Sequence, residues 1–186
     1  DIMKSVRTSF ASEGGTPSEF CLNDLVSETA SLLGQELAAH KVSLQMSLDK
    51  ALPPVTANRV QIQRVLFNLM TNAIEALADQ PVRKRHVDIR TARVDGGQVC
   101  LDVSDTGAGI PPDKADEIFE PFYTTKPSGT GLGLALSNII VEEHGGRVIS
   151  VAGDGSMCTF AGPAVAIRCA EQLHEVVGTL ELELRV

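Results

Sequence analysis

The chain has 186 residues, 43% of them hydrophobic, which suits one globular core and leaves room for at most a small second element. A formal charge of −8 excludes general nucleic-acid binding, because phosphate backbones are held by clustered Lys and Arg; the short basic run Arg83, Lys84, Arg85 reads as a solvated connection before a strand. Cys21, Cys100, Cys158 and Cys169 are scattered without a CxxC pair, so neither zinc nor a disulfide framework is indicated and a reducing cytoplasm fits best.

Ile2, Val6 and Phe10 keep helical spacing, so residues 1–11 are expected to be the tail of a helix cut from a longer protein. Glu13, Gly14, Gly15, Thr16 and Pro17 then form a linker, and a boundary is expected near residue 16. From Asn23, a plausible cap, Leu25, Val26, Thr29, Leu32, Leu33 and Leu37 predict a helix to about His40. Val42, Leu44, Met46 and Leu48 alternate as a strand, which Pro53 and Pro54 end. A second helix runs from Asn58 to about Ala78.

Two alternating segments, 86–94 and 98–104, flank Asp95-Gly96-Gly97 and make an antiparallel hairpin. A third helix spans roughly Leu132 to His144 and stops at Gly145-Gly146, where glycine tolerates the left-handed backbone of a helix end. Residues 147–152 read as a strand, 164–177 as a helix, and 180–186 as a half-buried strand with alternating Leu and charged residues. The expected fold class is α/β (α+β), a two-layer sandwich whose mixed sheet is covered on one face by helices. No apolar run approaches the roughly 20 residues needed to cross a bilayer, so the fragment is expected to be soluble and make no membrane contact.

Four segments carry chemistry. In NLMTNAIEAL, Asn68, Asn72 and Glu75 stand at i, i+4 and i+7, a polar stripe on an apolar helix. Such a stripe is either solvated or turned to a ligand, and Mg²⁺ accepts a side-chain carbonyl while keeping waters and phosphates. In DVSDTGAGIP, Asp105 ends a strand beside Gly107 and Gly109, so an acid stands next to backbone that a flat ligand can approach. Its carboxylate suits the exocyclic amine of adenine; an ordinary Asp-Thr-Gly turn is the alternative. In IFEPFYTTK, Phe119 and Phe122 anchor a loop, and Lys126 is a mobile charge suited to a terminal phosphate. Gly129 to Gly133, GTGLG, opens the third helix, where freed N–H groups and the helix dipole favour phosphate. It is not the phosphate loop GxxxxGK[ST].

In this order the four segments closely resemble the nucleotide-binding boxes of sensor histidine kinase catalytic domains, in the ATPase superfamily shared with gyrase, heat-shock chaperones and mismatch-repair ATPases. The resemblance runs from about Asn23 through Ala152, and PFYTTKPSGTGLGLALSNIIVEEHGG is typical of kinases with a short ATP lid. It implies a Bergerat-type fold, ATP and Mg²⁺ as cofactors, and transfer of the γ-phosphoryl group to a histidine. Carried over by position, Asn72 resembles the Mg²⁺ ligand, while Asn68 and Lys126 resemble the groups at the transferred phosphate. Asp105 resembles the adenine-recognising acid, with Gly107, Gly109 and Ile110 around the base. Phe122, Thr125, Thr130, Leu132 and Leu134 accompany the lid glycines Gly129, Gly131 and Gly133. Hydrolytic relatives carry a glutamate where Asn68 stands, and an amide cannot deprotonate water.

The chain departs from the family pattern in two ways. None of His40, His86, His144 or His174 has the setting of a phosphoacceptor, so the acceptor is expected on a dimerising hairpin of the same protein, with a response regulator reached through the full kinase. The fragment is expected to be a monomer. The strand after Gly146 would normally turn directly into a final strand; here 156–177 is taken as an insertion, 180–186 as that strand, and Thr179 as the residue near adenine. The alternative begins the usual strand at Ser156. A competing function is a degenerate module that docks partners with little or no ATP turnover.

Overall fold

The computed structural model describes residues 16–94, 98–115, 117–126, 129–150 and 157–161. The elements in chain order are β1 (Ser18–Phe20), α1 (Leu22–Leu32), α2 (Gly34–Ala39), β2 (Ser43–Leu48), β3 (Val55–Ala57), α3 (Arg59–Ala76), β4 (His86–Val94), β5 (Gln98–Asp105), α4 (Gly133–Glu143), β6 (Arg147–Ser150) and β7 (Met157–Ala161).

Helix α3 organises the molecule. Asn58 caps it, its side chain accepting the Gln61 N–H, which satisfies one of the donors a helix start leaves over. Ile62, Val65, Leu66, Leu69, Met70, Ala73 and Ile74 recur at three- and four-residue spacing and are all buried. Leu66 and Met70 are fully enclosed, each worth about 1.5–3 kcal/mol of transfer free energy. Past the helix end, the Arg85 guanidinium donates to the carbonyls of Ala78 and His40 at 2.8 Å and of Gln80 at 2.9 Å, joining the ends of α3 and α2.

The main sheet has the order β2-β4-β5-β7-β6, with β2 and β4 parallel and the remaining neighbours antiparallel. In β4, Val87, Ile89 and Thr91 are buried while Arg90 and Ala92 face out, so one face meets the helices and the other meets solvent. The expected mixed, one-sided sandwich is therefore present. β4 and β5 pair in the expected hairpin from Val94↔Gln98 to Val87↔Asp105, and that register carries Asp105 to the strand end.

Three expectations need correction. The single helix from Asn23 to His40 is two helices, separated at Leu33, whose backbone leaves the α region at φ −88°, ψ 5° just before Gly34. Asn23 is not the cap; it lies in the first turn of α1, where its amide donates to the Asp49 carbonyl and accepts from the Thr91 hydroxyl. The preferred insertion at 156–177 gives way to the alternative for its first residues: Met157–Ala161 itself is a strand, seated between β5 and β6. Its backbone supplies ladder bonds that β5 and β6 would otherwise lack. The helix at 164–177, the strand at 180–186, Thr179 and the upstream helix at 1–11 lie outside the described residues. The small antiparallel pair of β1 and β3 had no alternation to announce it.

Candidate nucleotide site

A cleft of about 660 Å³ opens between α3, the end of β5 and the start of α4. Asn68, Asn72 and Glu75 of α3 line one wall, Asp105, Gly109 and Ile110 another, and Thr125, Lys126, Gly129, Thr130, Gly131, Gly133 and Leu134 the third. Residues from all four segments thus meet in one concavity.

The polar stripe of α3 has specific partners. Asn68 Nδ2 donates to Ser137 Oγ of α4 at 3.0 Å, and Ser137 is almost fully buried. That bond assigns the amide, leaving Oδ1 turned toward Gly133, where a Cβ would lie 2.3 Å from it. Lys126 Nζ donates to Asn72 Oδ1 at 3.1 Å and forms an ion pair with Glu75. A cation therefore fits between the Asn72 carbonyl and the Glu75 carboxylate.

Asp105 is held by its own turn, Oδ1 accepting the Gly107 N–H at 2.7 Å. Burial pushes its carboxyl above the ordinary aspartate range, outweighing the Gly107 hydrogen bond and the Lys126 charge that pull it down. Gly107 is closely enclosed: a Cβ there would sit 2.6 Å from Asp105 Oδ1 and 3.0 Å from the Ala76 carbonyl oxygen, so the Asp105 carboxylate would have to shift.

Phe122 and Gly131 cross closely. Phe122 donates its N–H to Gly131 O at 2.8 Å, and both residues have left-handed backbone, φ +69° and +66°. A Cβ on Gly131 would lie 2.4 Å from the Phe122 carbonyl carbon, so the crossing admits only glycine.

Three expected site residues stand elsewhere. Gly107, Phe122 and Leu132 do not line the cleft: Gly107 acts through Asp105, Phe122 is 59% exposed, and Leu132 caps α4. Phe122 serves by its backbone instead. Reading the sequence alone also passed over Ser137, Lys114 and Tyr123. Ser137 left a signal, being four residues after Gly133 and so on the same face of α4. Lys114, paired through both oxygens of Glu117 at 2.9 Å, left none.

Residues 57–165 match the family described as histidine kinase-, DNA gyrase B- and HSP90-like ATPase. A solved catalytic domain of the histidine kinase ThkA is 32% identical, with a TM-score of 0.70 over 80% of this chain and 96% of that one. The chain belongs to this family, among its histidine kinase catalytic domains. ThkA solved in complex with the response regulator protein TrrA aligns at 28% identity and TM-score 0.64, over 78% of this chain and 40% of that one. The sensor histidine kinase ZraS of Salmonella typhimurium is 34% identical over 147 residues, 78% of this chain and 31% of ZraS. The kinase domain described here thus spans about a third of that relative's length. Among the described residues, no helix is long and apolar enough to cross a membrane.

Proposed function

We propose that this domain binds Mg-ATP in the cleft and donates the γ-phosphoryl group to a histidine outside the chain. The observation that carries the reading is the amide-lined wall of α3 facing the glycine-rich start of α4, with the Asp105 carboxylate at the far end. Asp105 accepts the adenine amine, while Gly109 and Ile110 lie along the base. The N–H groups of Gly131 and Gly133, with the positive end of the α4 dipole, receive phosphate oxygens, while Gly129 closes the turn by donating its N–H to the Lys126 carbonyl. Lys126 contacts the γ-phosphate.

Asn72 Oδ1 is the proposed magnesium ligand, supported by the ammonium it already receives. Bound magnesium would neutralise charge on the phosphate oxygens. Asn68, held by Ser137, presents an amide and not a carboxylate beside the phosphates, so no general base activates water there. ATP then persists until an imidazole nitrogen attacks the γ-phosphorus in line, breaking its bond to the bridging oxygen and releasing ADP.

The acceptor belongs, on this reading, to a dimerising hairpin of the same protein that the segment before residue 16 would join. The full kinase would pass the phosphoryl group to a response regulator in the cytoplasm. Calorimetric titration of the chain with ATP and ADP, with and without Mg²⁺, tests the binding step. Phosphorylation of a hairpin supplied in trans tests the transfer. No heat of association with either nucleotide at millimolar concentration defeats the proposal.

A further inference from the structure

Lys126 occupies an odd place for a phosphate ligand. Its ammonium rests on α3, between Asn72 Oδ1 and the Glu75 carboxylate, the same oxygens that a divalent cation at Asn72 would have to meet. One positive charge and one oxygen pair cannot both be kept when a second cation arrives, since ammonium and metal repel at such separations.

Resting on the Mg-ATP reading and extending it, we propose that Asn72 and Glu75 form an exchangeable cation seat, which Lys126 fills in the nucleotide-free domain and yields to magnesium when nucleotide enters. Glu75 is then a positioning residue with two successive charges to hold. It parks the lysine over an empty site and afterwards draws the metal, directly or through its waters, toward Asn72. The displaced ammonium is released within reach of the phosphates. The polar stripe thus has a use for its third member, which the family resemblance left without one.

The pair is shallow, with side-chain exposures of 38% for Lys126 and 56% for Glu75, so the competition is modest. At saturating ADP, which lacks the γ-phosphate that Lys126 would hold, the Mg²⁺ concentration giving half-maximal metal binding is measured by calorimetry. Lys126→Met is expected to lower that midpoint by about two- to fivefold, the range an exposed ion pair supports. Adding Glu75→Gln in the Lys126→Met background raises it again. In the nucleotide-free chain, Glu75→Gln is expected to speed acylation of the Lys126 amine by acetic anhydride, read by mass spectrometry, by a similar factor. A midpoint that is unchanged or higher in Lys126→Met, or an acylation rate indifferent to Glu75→Gln, overturns the exchange while ADP binding stands. A wild-type chain that binds no ADP at any Mg²⁺ level overturns the nucleotide reading itself, and the exchange with it.

Discussion

Gly133→Ala separates folding from function at a single carbon. The added methyl would lie 2.3 Å from Asn68 Oδ1 and 3.2 Å from Nδ2, too close to coexist, but its neighbour is the end of a side chain that can swing aside. Swinging breaks the 3.0 Å bond from Asn68 to Ser137, a loss of about 1 kcal/mol. Alanine in place of glycine within a helix returns up to about 1 kcal/mol, less at a first helical position. The two nearly cancel, so the thermal midpoint should move by no more than about 4 °C for a domain of this size. Nucleotide binding has no such compensation. Losing a correctly aimed amide beside charged phosphates removes about 1.5–3 kcal/mol, which weakens ATP by about 10- to 150-fold. Differential scanning calorimetry and ATP titration on the same preparation read both quantities. A variant that melts normally and binds ATP like the wild type refutes the placement of Asn68 at the phosphates. One that fails to fold refutes the claim that the amide can move.

Asp105→Asn keeps an acceptor for the Gly107 N–H but turns an amide toward the adenine amine, so ADP affinity should fall by about 10- to 100-fold while stability holds or rises, as calorimetry would show. The pH dependence has a defined sign: with its folded-state pKa raised by burial, ionised Asp105 opposes folding, and that penalty is full above the folded pKa, shrinks as pH falls below it and is gone below the unfolded pKa. ADP affinity, which needs the ionised acceptor, should decline through the same window, at higher pH than an unperturbed aspartate titrates, and Asp105→Asn should abolish that limb. Gly131→Ala forces a left-handed alanine, at about 1–2 kcal/mol, against the Phe122 backbone. Exchange of the Phe122 amide hydrogen, bonded to Gly131 O, should then accelerate about tenfold or more by mass spectrometry. Asn58→Ala removes the α3 cap and should cost about 1 kcal/mol, visible as a thermal midpoint lower by about 2–4 °C.

Sequence periodicity alone determined the long helix α3, the β4–β5 hairpin, α4 with its glycine stop and the four segments that face the cleft. These are local patterns: a spacing of three to four, an alternation of two, and glycines where side chains would collide all leave marks within a few residues. Met157–Ala161 left a poorer mark than 180–186, yet it carries the pairing between β5 and β6, because a strand's place is decided by open ladders on its neighbours. Likewise only the tertiary structure could turn Asn68 toward Ser137, 69 positions away, or seat Lys126 on Asn72 and Glu75, more than 50 positions away. Such bonds depend on how helices and loops pack across the cleft, and no short stretch of chain holds that distance.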